Sequence, residues 1–271
     1  MSRPLILAGA GKMGGALLEG WIAKGLKPES IIIVEPEATL RDAHADRHRV
    51  KALAHPAALA AALQPDVIVL AVKPQAMDTV VGDYKRFVGA GTAFLSIAAG
   101  KTIRTFAEKL GPTAAIVRAM PNTPAAVGRG ISVLCANKNV EAAQRRRCQE
   151  LMEAVGEVAW TENEADMDAV TAVSGSGPAY VFLLAECLAE AGIDAGLEPD
   201  LARRLARATV AGAGELLHRS PEPAEVLRKN VTSPGGTTAA ALEVLMGKDG
   251  FKPLLSKAVD AATRRSRALA G

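Results

Sequence analysis

The feature that most constrains the fold is a glycine-rich turn between a short apolar run and an amphipathic helix pattern. The run covers residues 4–9, the turn reads Gly9-Ala10-Gly11-Lys12-Met13-Gly14, and the helix pattern covers 13–24. In this position the glycines permit a tight turn, close approach of a pyrophosphate to the backbone, and packing of the helix on the strand. The helix N-terminus adds positive potential. The segment predicts a dinucleotide site; the alternative is a glycine-rich turn without a ligand.

Strand and helix patterns alternate as far as residue 161. Further strand patterns occur at 31–35, 66–72, 93–97, 115–118, 131–135 and 157–160, and a helix at 102–110 is capped by Thr102. The later patterns are helical, at 178–191, 198–217, 223–230, 238–246 and 251–269. We therefore predict an α/β fold: a Rossmann domain with a doubly wound, mostly parallel sheet over 1–161, then an all-α domain over 162–271.

The helical part contains a segment that is apolar nearly all round, at 179–185. A helix without a polar face must be enclosed on every side. A domain of about 110 residues is too small to enclose such a helix easily. Small residues at 208 and 211–214 also permit close helix packing. We predict that this part packs against its copy in a second subunit; the alternative is burial within one chain.

Composition excludes several classes of function. A net charge of +3 over 271 residues does not indicate nucleic acid, and 3% aromatic residues give no stacking platform. Three cysteines do not form a disulfide framework or a metal motif, which favours the cytoplasm. We expect no metal site, no membrane segment of roughly 20 apolar residues, and surface positions for His44, His48, His55 and His218.

Candidate ligand residues follow several strand patterns. Glu35 ends the second, where a carboxylate accepts hydrogen bonds from ribose hydroxyls and repels a 2′-phosphate, so NADH is favoured over NADPH. Alternatively, Glu35 is a solvated strand end, or Arg41 neutralises a phosphate there. Lys73 either lies near the cofactor or caps a turn. The small residues at 98–100 suit a nicotinamide ring against the backbone, and the loop around Asn122 lies at the same edge.

A second candidate site precedes the helix pattern at 238–246. The segment Ser233-Pro234-Gly235-Gly236-Thr237-Thr238 combines exposed backbone N–H groups with three hydroxyls at a helix N-terminus. This arrangement predicts a carboxylate-binding site. The alternative is an ordinary capped helix start.

Six motifs in order, GAGKMG, AVKP, SIAAG, RAMPNTP, AVSGSGPAY and NVTSPGGTT, closely resemble the pyrroline-5-carboxylate reductase family. The resemblance implies transfer of hydride from NADH or NADPH to the C=N carbon of 1-pyrroline-5-carboxylate, giving L-proline. It also implies an interlocked homodimer, which in the family commonly assembles into a decamer. Glu35 departs from the pattern that usually accompanies NADPH.

The predicted site residues fall into two groups. The cofactor group is Gly9, Ala10, Gly11, Lys12, Met13, Gly14, Glu35, Val72, Lys73, Pro74, Ala98, Ala99, Gly100 and Asn122. The substrate group is Val231, Ser233, Gly235, Gly236, Thr237 and Thr238. The resemblance places Thr238 near the imine nitrogen, as the catalytic residue.

Two alternative functions fit the sequence less well. A reductase of the β-hydroxyacid dehydrogenase type needs a catalytic Lys with an Asn one helical turn later. In this chain the residue four positions after Lys229 is Ser233. A non-catalytic dinucleotide-sensing protein has no reason to keep the SPGGTT segment.

Overall fold

The computed structural model describes residues 3–89 and 91–270, and in this part of the chain eight strands form one sheet. The strands are β1 (Leu5–Ala8), β2 (Ile31–Val34), β3 (Lys51–Leu53), β4 (Val67–Leu70), β5 (Ala93–Ser96), β6 (Ala115–Met120), β7 (Gly130–Ala136) and β8 (Gly156–Trp160).

The α-helices are interspersed with the strands as far as β8, and in the described residues only helices follow after it. They are α1 (Lys12–Ala23), α2 (Ala38–His48), α3 (Pro74–Val80), α4 (Ile103–Leu110), α5 (Ala142–Glu153), α6 (Asp166–Val170), α7 (Gly177–Asp194), α8 (Pro199–Arg219), α9 (Ala224–Asn230), α10 (Thr237–Leu245) and α11 (Phe251–Ala270). Short 3₁₀ helices cover Pro28–Ser30, Pro56–Ala58, Val81–Phe87 and Thr123–Val127, and a π-helical turn covers Thr171–Gly175. Thr102 caps α4 as predicted, since its hydroxyl accepts a hydrogen bond from Thr105 N.

The order of strands across the sheet is β3-β2-β1-β4-β5-β6-β7-β8. Neighbouring strands are parallel except β6 and β7, which are antiparallel. The direction of strand order reverses between β1 and β4, and ligands of such sheets bind there, at the carboxyl ends of the strands. The predicted α/β fold with a doubly wound, mostly parallel sheet is confirmed.

The central strands are buried on both faces, which explains their continuous apolar runs. Leu5 and Leu7 of β1 pack with Trp21 of α1 on one face, while Ile6 packs with Phe94 on the other. Trp21 Nε1 also donates a hydrogen bond of 2.8 Å to the carbonyl oxygen of Leu151. This packing holds α1, and with it the glycine-rich turn, on a rigid sheet.

Several elements were not predicted, among them α2, β3 and α5. No residue of α2 is buried, so this helix carries no apolar stripe that a sequence pattern reveals. β3 is a three-residue edge strand that begins with an exposed lysine. For α5 the sequence does contain a signal for a helix start, because Glu141 and Gln144 form a capping box.

The described residues divide into two compact units, and the division differs from the predicted boundary at 161. The first unit runs to Gly175 and includes the residues from Ala262 onward, and the second is Ser176–Ala261. Strands do end at Trp160, but α6 then packs against β7 and Met167 is fully buried. The boundary moves because these helical residues complete the core of the first unit. As functional domains, 1–161 and 162–271 remain a prediction.

The second unit consists of helices, as predicted, and its best-packed pair is α7 and α8. A Cβ on Gly192 of α7 would lie 3.3 Å from the Cβ of Ala202 on α8. The side chains of Phe182 and Leu183 on α7 are nevertheless 62% and 57% exposed. The chain alone therefore does not enclose α7, contrary to the alternative of burial within one chain.

No membrane segment was expected, and one helix passes the criteria for such a segment by length and composition only. Asp166–Asp194 forms one helical segment that is long and apolar enough to cross a membrane. The predicted helix pattern begins only at residue 178, whereas the helical segment starts at Asp166 and includes the π-helical turn. A helix that packs against protein satisfies the same criteria of length and composition.

We expect Tyr84→Phe to stabilise the protein. Tyr84 is fully buried, and its hydroxyl has no hydrogen-bond partner among the described residues. Burial raises the pKa of this hydroxyl above its usual range. Removing an unsatisfied buried hydroxyl should raise the free energy of unfolding by about 1 kcal/mol, measured by urea denaturation. A lower free energy of unfolding would show that the hydroxyl makes a stabilising hydrogen bond.

Candidate functional site

The glycine-rich turn lies at the point where the strand order reverses. Gly9 has a φ of +88°, and a Cβ there would lie 2.9 Å from the carbonyl oxygen of Ala71 after β4. A Cβ on Gly14 would overlap the carbonyl oxygen of Gly9. At Gly11, by contrast, a Cβ would meet no described atom within 4 Å, and both Gly11 and Lys12 are exposed. The turn therefore has open space beside Gly11, as a cradle for a phosphate group requires.

The N-terminus of α1 faces this space without a side chain of its own to cap it. Gly11 is the N-cap residue, with no side-chain hydrogen bond and no acidic residue in the first helical turn. The first N–H groups of a helix have no partner within it and carry its positive dipole end. These donors are suited to an anionic ligand.

Glu35 lies directly after β2, and its carboxylate contacts the glycine-rich turn. Oε2 accepts a hydrogen bond of 2.8 Å from Ala10 N, and Oε1 accepts one of 3.0 Å from Glu37 N. The residue is only 7% exposed, so it is not a solvated strand end. Each oxygen retains a second acceptor position, and the predicted bonds to ribose hydroxyls remain a prediction.

The ends of β4 and β5 provide further predicted cofactor residues. Lys73 is the exposed N-cap residue of α3, and Pro74 begins that helix. Ala98 is buried and donates a hydrogen bond of 3.3 Å from its N–H to Ser96 Oγ. Gly100 has a φ of +71°, and a Cβ there would lie 3.3 Å from Leu269 of α11. Packing within the first unit thus explains this glycine without a ligand.

Asn122 braces the loop after β6. Its Nδ2 donates a hydrogen bond of 3.2 Å to the carbonyl oxygen of Ser174, and its Oδ1 accepts one of 2.9 Å from Ile131 N. Arg118, 4% exposed, pairs with Glu164 at 3.1 Å on the same strand end. A cofactor role for Asn122 stays a prediction. Its bracing contacts were not predicted, because Ser174 is 52 residues away and no local pattern links Asn122 to Ile131.

The expectation of surface positions is wrong for two histidines. His44 Nε2 lies 2.9 Å from the carbonyl oxygen of Ala10, and its ring stacks on His48 with centroids 5.7 Å apart. The side chain of His48 is 9% exposed, and burial, followed by Arg47, lowers its pKa. His55 and His218 are exposed as expected. Because α2 has no apolar stripe, nothing in the sequence indicated that His44 contacts the turn or that His48 packs beside it.

The predicted substrate segment lies between α9 and α10. Gly235 has a φ of +69°, and Gly236 is the N-cap residue of α10, without a side-chain capping bond. The hydroxyls of Ser233, Thr237 and Thr238 have no hydrogen-bond partner among the described residues. This helix start has no side-chain cap, so the first N–H groups of α10 are free for an anion, and the carboxylate-binding role stays a prediction.

No group of three or more His, Cys, Asp or Glu residues that could hold a metal ion occurs in the described ranges. The chemistry of the donors at both sites instead suits anionic groups, phosphate at α1 and carboxylate at α10.

Comparisons with known proteins assign the chain to a family. A family model described as pyrroline-5-carboxylate reductase dimerisation matches residues 164–269. A pyrroline-5-carboxylate reductase of Pseudomonas aeruginosa is 42% identical over 272 residues, which cover 100% of this chain and 98% of the relative. The chain belongs to the pyrroline-5-carboxylate reductase family.

Solved structures of pyrroline-5-carboxylate reductases agree with the whole fold. That of Coxiella burnetii is 34% identical and superposes with a TM-score of 0.93 over 100% of both chains. That of Plasmodium falciparum, with NADP bound, is 33% identical with a TM-score of 0.81, over 100% of this chain and 99% of the other.

The N-terminal part of the chain also matches a family model described as NADP oxidoreductase coenzyme F420-dependent, over residues 5–100. This pyrroline-5-carboxylate reductase family member is thus an NAD(P)-dependent oxidoreductase that uses a nicotinamide dinucleotide, and its dimerisation domain indicates self-association. The resemblance found in the sequence is confirmed. Family membership removes the β-hydroxyacid dehydrogenase and dinucleotide-sensor alternatives; Lys229, the lysine considered for the former, pairs with Glu225 at 2.7 Å.

Proposed function

We propose that this chain reduces the C=N bond of 1-pyrroline-5-carboxylate to give L-proline, the last step of proline biosynthesis, with NADH or NADPH bound as the hydride donor. The start of α10 carries the proposal, because free hydroxyls there surround an uncapped helix N-terminus. A small anionic substrate supplies the acceptors that these donors lack. Family membership supports the same substrate.

The dinucleotide site is proposed at the turn between β1 and α1. The diphosphate would lie in the open space beside Gly11, where the N–H groups of α1 are free. The strand ends would supply the rest of the site, namely Val72, Lys73, Pro74, Ala98, Ala99, Gly100 and Asn122. The residues present fit the cofactor, since the glycines at 9 and 14 are required by the turn itself and the one at 11 leaves room.

At the substrate site, Ser233, Thr237 and the free N–H groups of α10 would bind the carboxylate, and Val231, 64% exposed, would contact the ring. The Thr238 hydroxyl would hydrogen-bond the imine nitrogen. A protonated imine accepts hydride readily, so the chain needs no strong acid here, and the proton comes from solvent or from the substrate itself. The protein mainly supplies orientation and electrostatics.

NADH is the proposed preferred coenzyme. The Glu35 carboxylate is held against the turn by Ala10 N and Glu37 N, so its negative charge is fixed near the ribose of the proposed dinucleotide. A 2′-phosphate would meet a like charge there, which is unfavourable. Arg41, the candidate for neutralising it, pairs with Asp42 at 3.2 Å.

We expect Glu35→Gln to raise kcat/KM for NADPH relative to NADH by about tenfold, since one charge is removed and one acceptor is kept. Both coenzymes are titrated against the variant and the wild type. Glutamine holds the turn less well, so the affinities for NADH and for NADPH should both fall. The informative quantity is therefore the ratio of kcat/KM for NADPH to that for NADH. An unchanged ratio would remove Glu35 from coenzyme selection.

The proposed quaternary structure is an interlocked homodimer, with assembly into a decamer as a further step. Exposed apolar side chains on several helices of the second unit would be covered by the partner, among them Phe182, Leu183, Leu217 and Val244. Gly212 and Gly214 of α8 meet no described atom within 4 Å of an added Cβ, so a partner helix can approach closely. The free cysteines favour the cytoplasm as its location.

The direct test of the proposal is oxidation of NADH or NADPH on addition of 1-pyrroline-5-carboxylate, followed at 340 nm with both coenzymes in parallel. We expect oxidation with both and faster turnover with NADH. Absence of oxidation with either coenzyme would refute the proposed reaction. A strong preference for NADPH would refute only the role given to Glu35.

A further inference from the structure

The imidazole of His44 contacts the backbone of the glycine-rich turn from outside the motif. His44 lies on α2, and its Nε2 is 2.9 Å from the carbonyl oxygen of Ala10. A carbonyl oxygen only accepts, so Nε2 carries the proton of this hydrogen bond. Gly15 makes room for the ring, because a Cβ there would lie 3.1 Å from His44 Cε1.

Both polar backbone atoms of Ala10 are therefore held by side chains. Glu35 accepts from its N–H at 2.8 Å, and His44 donates to its carbonyl. Ala10 is fully buried, and the hydrogen bonds of α1 begin only at the next residue, where Gly11 O accepts from Gly15 N at 2.7 Å. Without the imidazole, a buried carbonyl would lose its donor, which is costly.

The hydrogen bond to Ala10 also fixes the peptide that joins Ala10 to Gly11. In a trans peptide the carbonyl oxygen of one residue and the N–H of the next point in opposite directions. With the Ala10 carbonyl directed at His44, the Gly11 N–H points away from α2. A Cβ on Gly11 would meet only open space, so no described side chain contributes to holding this residue.

Glycine at position 11 makes such a restraint necessary. A residue without a Cβ has access to both signs of φ, so the peptide before Gly11 can rotate at low cost. A rotated peptide would turn the Ala10 carbonyl, a negative dipole end, to the side now occupied by the Gly11 N–H. An anionic ligand near α1 would then face an acceptor in place of a donor.

We propose that His44 is a positioning residue for the dinucleotide: by holding the Ala10 carbonyl, it directs the Gly11 N–H toward the diphosphate. This inference rests on the dinucleotide site proposed above. His44 does not contact the ligand, and it acts through one peptide. Its effect is therefore specific to ligands that carry the diphosphate.

The test uses the full-length wild type with His44→Ala, His44→Gln and, as a control, His55→Ala, which alters an exposed histidine. Binding of ADP-ribose and of adenosine is measured by calorimetry. We expect His44→Ala to weaken ADP-ribose binding about tenfold and adenosine binding less than twofold. His44→Gln keeps an N–H donor and should recover most of the loss, and His55→Ala should match the wild type.

Steady-state kinetics provide a second readout. We expect His44→Ala to raise KM for the coenzyme and to leave kcat and KM for pyrroline-5-carboxylate within twofold of the wild type. Wild-type affinity of His44→Ala for ADP-ribose would overturn the inference, as would equal losses for ADP-ribose and adenosine, or a glutamine variant as weak as alanine. If His44→Ala does not fold, His44→Phe, which keeps a ring but has no N–H donor for the Ala10 carbonyl, is tested by the same ratio. A wild type that does not bind ADP-ribose would instead refute the proposed dinucleotide site.

Discussion

We expect replacement of Thr238 by alanine to lower kcat by roughly 10²–10³-fold, the scale on which a single transition-state hydrogen bond acts. The Thr238 hydroxyl has no partner among the described residues and lies in the first turn of α10. Its proposed partner is the imine nitrogen, whose charge changes as the C=N bond is reduced. Because no protein contact is lost, the thermal stability of the variant should equal that of the wild type.

The measurement is kcat at saturating substrate and coenzyme for Thr238→Ala, Thr238→Ser and a control, Thr79→Ala. Thr79 is exposed on α3 and lies outside both proposed groups of site residues. Serine keeps the hydroxyl and should restore at least a tenth of the activity, and the control should have wild-type kcat. Near-wild-type turnover in Thr238→Ala would remove this hydroxyl from the reaction.

We expect replacement of Gly11 by alanine to weaken dinucleotide binding by at least about tenfold and to leave the fold intact. A Cβ at this position meets no described atom within 4 Å, and its φ of −63° suits any residue. The added methyl group fills space that only a ligand would use. Hydrogen bonds to charged groups contribute about 1.5–3 kcal/mol each, so displacing one phosphate contact reaches the tenfold scale.

The affinity for NADH is measured by fluorescence titration and the melting temperature by calorimetry. Gly82→Ala is the matched control, since a Cβ there also meets no described atom within 4 Å and Gly82 lies outside the proposed site. Gly14→Ala should behave differently from both and lose stability, because its Cβ would overlap Gly9. Unchanged NADH affinity in Gly11→Ala would contradict the proposed position of the diphosphate.

The parts of the fold that the sequence predicted are those with local signals. The central strands are continuous apolar runs, because helices cover both faces of the sheet. The turn at Gly9–Gly14 and the Thr102 cap are set by residues within a few positions of each other. The α-helices of the second unit were likewise predicted to within a few residues at each end.

The remaining features depend on contacts between distant residues. Ala10 and His44 are 34 residues apart, and Asn122 and Ser174 are 52 apart, so no local pattern connects them. The boundary at Gly175 follows from how α6 packs on the sheet, and the apolar segment Asp166–Asp194 includes a π-helical turn that lies before residue 178, where the predicted helix pattern began. For the substrate segment, the sequence predicted three hydroxyls at a helix N-terminus, and the role of the segment in binding substrate stays a prediction.

The most direct test of the central claim is the fate of deuterium carried by NADH dideuterated at the nicotinamide C4. The wild-type chain is incubated with this coenzyme and 1-pyrroline-5-carboxylate, and the product is analysed by mass spectrometry and NMR. We expect L-proline with a single deuterium at Cδ, the former C=N carbon, and one coenzyme oxidised for each proline formed. Proline without deuterium, or coenzyme oxidation without proline, would contradict hydride transfer to the C=N bond.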